Sequence, residues 1–115
     1  MTQQVKLLNR GKQTSGNGVQ YPILVDNPTA NSYIVRLSLK NEHSSTVNLP
    51  LFLQSGVTSE YETVVTDNAT LVQTVSLEVA ETKIILDVPI PAFSRLYTYS
   101  QLIAYNAFGI EYSAE

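Results

Sequence analysis

Tyr33-Ile34-Val35-Arg36-Leu37-Ser38-Leu39-Lys40 decides the fold class. Tyr33, Val35, Leu37 and Leu39 alternate with Ile34, Arg36, Ser38 and Lys40, the two-residue period of a strand with one buried face. The period recurs downstream. Val47, Leu49, Leu51 and Leu53 alternate with Thr46, Asn48, Pro50 and Gln54, and Leu71, Val75, Leu77 and Val79 alternate with Val72, Thr74, Ser76 and Glu78. Further strands are expected at residues 5–8, 19–25, 61–66, 83–90, 96–105 and 110–113.

Turn residues fall between these runs. Asn9-Arg10-Gly11, Ser15-Gly16-Asn17-Gly18, Asp26-Asn27-Pro28, residues 41–45, Ser55-Gly56, Asp67-Asn68 and Pro91-Ala92 all have turn chemistry. Pro50 and Pro89 lie within strand-like runs and point to edge strands or bulges, because proline cannot donate to a ladder. Residues 93–107 also fit a helical stripe through Phe93, Leu96, Tyr97, Ile103, Ala104 and Ala107. Tyr97, Thr98, Tyr99, Ile103 and Tyr105 favour the strand reading. Many short strands with frequent turns predict an all-β, antiparallel β-sandwich, immunoglobulin-like or jelly-roll-like.

The 115 residues suit one domain, and 43% apolar content supplies a core. There is no cysteine, so neither disulfides nor thiolate metal sites are available. No apolar run approaches the roughly 20 residues needed to span a bilayer. The first residues lack the long apolar stretch of a cleaved secretory signal. The chain is therefore expected to stay in the cytoplasm where it is made, or to leave by a route other than a cleaved signal, with no membrane partner.

Charge is uneven. Residues 1–20 carry Lys6, Arg10 and Lys12 and no acid, while the rest carries four bases and all ten acids. An acidic body repels phosphate, so no nucleic-acid partner is expected. Gly11, Gly16 and Gly18 raise the cost of ordering this stretch. Two domain readings follow. In one, residues 1–18 are a flexible or partner-docking arm and residues 19–115 form the single sandwich. In the other, residues 5–8 are the first strand of the sandwich.

Ala104-Tyr105-Asn106-Ala107-Phe108-Gly109, with Ser113 beyond it, resembles the corner between the last two strands of fibronectin type III domains. Tyr97 and Tyr99 resemble the tyrosine corner of such sandwiches. The resemblance implies a hairpin turn at Asn106 and Gly109, and a spacer or binding module. A short, cysteine-free β chain with a basic, glycine-interrupted leading segment also resembles bacteriophage capsid cement and decoration proteins. That likeness implies a virion component.

The inventory for chemistry is thin. His43 is the single histidine and lies in a polar loop, with no nucleophile elbow around any serine. Glu60 and Glu62 flank Tyr61 and would share a strand face, as solvated charges more naturally than as a calcium or acid–base pair. Ser15-Gly16-Asn17-Gly18 lacks the lysine of a phosphate loop. Asn68-Ala69-Thr70 fits the glycosylation pattern, which short sequences meet by chance.

No catalytic, metal or cofactor site is expected, and the chain is read as a non-enzyme. The candidate partner-binding residues are Val5, Lys6, Leu7, Leu8, Arg10 and Lys12 in the leading segment. Tyr97, Tyr99 and Tyr105 join them, as one strand face that is either core or contact surface. The expected function is a structural or assembly protein, of the capsid cement or decoration type, binding copies of itself or a larger protein lattice. The alternative is a carbohydrate- or ligand-binding β module.

Overall fold

In the computed structural model the inward rows of two sheets meet as the alternation requires. Residues 21–60, 62–99 and 101–113 are described in full, and residues 3–13 by their main chain. The eight strands among the described residues are β1 (Gln3–Gln13), β2 (Ile23–Asn27), β3 (Ser32–Asn41), β4 (Val47–Ser55), β5 (Ala69–Leu77), β6 (Thr82–Ile90), β7 (Ser94–Tyr97) and β8 (Ile103–Tyr112). A 3-10 turn, Thr66–Asn68, precedes β5.

The first sheet has the order β1-β8-β3-β6 and the second β2-β7-β4-β5. Every ladder is antiparallel. The pairs β1–β8, β2–β7, β3–β6 and β4–β5 are nested, as if one long hairpin had been wrapped over itself. The ladders β3–β8 and β4–β7 then join the nested pairs into two sheets. This is the eight-stranded jelly roll. Of the two topologies left open by the sequence, the immunoglobulin-like one does not have this order.

The core lies between the sheets. Tyr33, Val35, Leu37 and Leu39 of β3 face Leu49 and Leu51 of β4, and Leu24, Val25, Leu77, Ile90, Leu96 and Ile103 complete the layer. Burying each such side chain contributes about 1.5–3 kcal/mol. Asn27 and Asn41 are buried at strand ends and fully bonded. Asn41 Nδ2 donates to the carbonyls of Ser45, Leu77 and Glu78, while its Oδ1 accepts from His43 N–H. Asn27 Nδ2 donates to the Asn31 and Pro91 carbonyls. These amides satisfy carbonyls that the ladders leave open.

Several expectations change. Residues 96–105 are not one strand: β7 ends at Tyr97 and β8 begins at Ile103, on opposite sheets. Neither part is helical. Asn106 and Gly109 do not form a hairpin corner. They lie inside β8, Asn106 opposite Arg10 and Ser38, Gly109 opposite Lys6 and Val35, and two neighbouring strands keep them extended. Residues 62–65 are not strand; the chain there is a loop over the second sheet.

Leu71 and Val79 do not point into the core. Leu71 lies beside a register shift in the β4–β5 ladder, and Val79 sits in the turn to β6. Pro89 is on an edge strand, as expected. Pro50 is tolerated on β4 because the β4–β7 ladder spans only Phe52 to Ser55, so no strand requires its missing donor on that side.

The leading segment is paired. β1 follows β8 from Gln3↔Tyr112 to Gln13↔Ile103, with one register shift between Leu7 and Asn9. Lys6, Arg10 and Lys12 thus stand on an edge strand, where lysine and arginine discourage pairing with foreign strands. Their concentration there has an explanation that needs no detached arm. Deletion of residues 1–18 separates the two domain readings. The β1–β8 ladder leads us to expect loss of the cooperative unfolding transition in circular dichroism. A truncated chain that folds normally but no longer assembles would restore the arm.

Candidate docking faces

The two sheets differ in how their outer faces are finished. On the second sheet, outward residues of β2, β7 and β4 form a row, Asp26–Arg95–Gln54. Arg95 is fully buried, and its Nε lies 3.2 Å from Asp26 Oδ1. Its Nη2 reaches Asp26 Oδ2 at 3.4 Å, and its Nη1 donates to the Glu62 carbonyl. Gln54 Oε1 accepts the Val65 N–H at 3.0 Å. Arg95 and Gln54 therefore fasten the 56–65 loop over the sheet. Val57 N–H donates to the Phe93 carbonyl at 2.9 Å, and Phe93 N–H to the Thr29 carbonyl at 2.9 Å. Those two bonds hold Phe93 at φ 53, a value that a bulky residue adopts only when its surroundings impose it.

Glu62 organises the loop from within. Its Oε1 accepts the backbone N–H groups of Ser59 and Thr58. Those donors hold its carboxyl below the ordinary value, with the nearby Arg95 charge adding to the effect. Glu60 and Glu62 are thus not a pair on a strand face.

An aromatic cluster follows on the same outer face. Tyr97 stacks on Phe52 at 5.3 Å between ring centroids and meets Tyr21 edge-on at 5.5 Å. Tyr99 lies 5.3 Å from Phe52 and 5.9 Å from Tyr21. Tyr97 is 2% exposed, whereas Tyr99 is 46% exposed. Burial, with Tyr99 and Tyr21 as neighbours, pushes the Tyr97 phenol above its ordinary value.

The outer face of the first sheet is finished differently. Phe108 of β8 is the register partner of Arg36 of β3, and the β3–β6 ladder places Leu86 and Asp87 on the other side of Arg36, at a register shift. The next row is Ile110, Ile34 and Pro89. Together Ile34, Arg36, Leu86, Asp87, Phe108 and Ile110 line an open groove of about 410 Å³. Phe108 is 48% exposed, and Leu86 and Ile84 are each 60% exposed. Towards the other end the face becomes polar, with Ser38, Lys40, Thr82 and Asn106.

The structure separates the tyrosines expected to share a face. Tyr97 and Tyr99 belong to the cluster on the second sheet, and Tyr105 is on β8 of the first, packed against the core. The backbones of Val5, Lys6, Leu7, Leu8, Arg10 and Lys12 are in β1, and their side chains lie outside the described residues. His43 sits in the β3–β4 loop with its Nδ1 accepting the Ser45 N–H at 3.2 Å. Sequence reasoning missed Ile34, Leu86, Phe108 and Ile110. The available signal was an apolar residue on the outward phase of an alternating strand, as at Ile34 beside Arg36.

Among the described residues no group of three or more His, Asp or Glu is placed to hold a metal ion, and no helix is long and apolar enough to cross a membrane. No family model matches this chain, and neither the curated proteins nor the solved structures contain a match to it.

Two variants test the second sheet. Asp26→Ala leaves the Arg95 charge buried without its carboxylate, and the expected loss of stability in urea is about 3–5 kcal/mol. A loss below about 1 kcal/mol would contradict the role given to this pair. Tyr97 has a raised folded-state value, so its contribution is fully present below the ordinary tyrosine range near pH 10 and is lost as pH rises through the higher folded value. Tyr97→Phe keeps the stacked ring without the phenol. Its melting temperature is expected to fall less than that of the parent between about pH 9 and 11.

Proposed function

We propose that this chain is a non-enzymatic structural or assembly protein, of the kind that cements or decorates a virion by binding a protein lattice. The observation that carries the reading is the outer face of the first sheet. Ile34, Ile84, Leu86, Phe108 and Ile110 form an apolar surface on a sandwich whose other face of the same sheet already supplies the core. Exposed apolar side chains grouped around a groove, here with Arg36 and Asp87 among them, are the mark of a protein contact. The jelly roll recurs in viral capsid domains, which supports the virion setting by analogy of fold alone.

The aromatic cluster favours the second reading, a carbohydrate-binding module. Tyr99 presents a half-exposed ring beside Phe52 and Tyr21, and an exposed aromatic plane can stack on a sugar.

The experiment is co-sedimentation from the native source. The parent chain is expected to travel with a large particle, and Phe108→Glu to remain near the top of the gradient with an unchanged circular dichroism spectrum. A parent chain found only at the top, with glycan-array binding abolished by Tyr99→Ala, would replace the assembly reading with the carbohydrate one.

A further inference from the structure

We propose that the groove on the first sheet docks against the same groove of a second copy of this chain, related by a two-fold axis. This rests on reading that face as a protein-docking surface and names its occupant. The groove holds one base and one acid beside its apolar floor. Arg36 projects from the middle of the sheet between Phe108 and Leu86, and Asp87 stands next to Leu86 at the β6 register shift. Among the described residues neither charge has an ion-pair partner. They do not neutralise one another within the chain, yet each is the complement the other needs.

A two-fold contact brings a patch against itself, so residue i meets residue j and j meets i. A patch with charges of one sign repels its own image. Here Arg36 of one copy faces Asp87 of the other, twice, while the apolar side chains beside these pairs, Phe108 and Leu86, pack against the second copy. Such a contact leaves no buried charge unpaired and removes the exposed apolar side chains from water.

The geometry also favours face-to-face packing over strand addition at this edge. β6 is the outer strand of the sheet, and it carries Lys83, a register shift with Asp87 at φ 58, and Pro89. Charge, bulge and proline each oppose continuation of a ladder. The β6 edge is guarded while the face beside it is open. Flat packing of two outer faces satisfies both observations.

Sedimentation velocity on the full chain tests the proposal. The parent chain is expected to reach a dimer within the micromolar range. Arg36→Glu sets like charges against each other across the axis and is expected to raise the dissociation constant by more than about tenfold, with the circular dichroism spectrum unchanged. Asp87→Asn keeps a residue type that tolerates the left-handed backbone and is expected to weaken the dimer in the same direction. It serves if Arg36→Glu fails to fold.

A parent chain that stays monomeric, or a dimer unaffected by both variants, overturns the proposal. The particle experiment separates the two readings. A monomer that still co-sediments through Phe108 means that another protein occupies this face. A monomer that co-sediments regardless of Phe108, or does not co-sediment, removes the docking face as well.

Discussion

β8 is paired on both sides, by β1 from the start of the chain and by β3 from its first half, and the first sheet depends on that double pairing. β7 does the same for the second sheet between β2 and β4, with only four residues. Both sheets are therefore completed by strands that come late in sequence. Such non-local pairing requires loop-closure entropy to be met before the ladders stabilise anything, which places folding in the slow regime of β-sandwiches. It also explains why Asn27 and Asn41 are buried. Nested strands must reverse at the ends of the sandwich, and at those reversals the side-chain amides take up carbonyls that the sheets leave open.

The two outer faces show where the chain invests polar structure. On the second sheet, Arg95 and Gln54 reach outward from the strands and bind a loop down over them, and the rings of Tyr97 and Phe52 stack beside it. A buried arginine is tolerated there because both Asp26 and the Glu62 carbonyl meet its guanidinium. Among the described residues the first sheet has no such cover over Phe108, Leu86 and Ile84. Leu71, Val72 and Tyr99 are also exposed on the second sheet's side, so the reading of the first face as a contact surface rests on Phe108, Leu86, Ile34 and Ile110 lining one groove together.

The inward rows were legible because their alternation is uninterrupted: Tyr33 to Leu39, and Val47 to Leu53, each keep one phase. The sheet to which a strand belongs was not legible, since period two is the same in either. That is why residues 96–105 read as one strand, although Thr98 leaves the sheet to donate its hydroxyl to the Pro50 carbonyl at 2.7 Å. Asn106 and Gly109 carry turn chemistry locally, and two flanking strands override it. The site was half legible. Tyr97 and Tyr99 stood out by composition, whereas Phe108 and Leu86 acquire meaning only when β8, β3 and β6 lie side by side. The basic residues of the leading segment left both domain readings open, because an edge strand and a solvated arm have the same use for lysine and arginine.

The central claim is that the outer face of the first sheet, not the aromatic cluster of the second, is what this protein presents to its partner. Hydroxyl-radical footprinting reads side-chain exposure directly and compares the free chain with its native assembly. The account expects Phe108 and Leu86 to lose reactivity on assembly while Tyr99 keeps its own. Phe108 and Leu86 as reactive in the assembly as in the free chain, with Tyr99 protected instead, would contradict it.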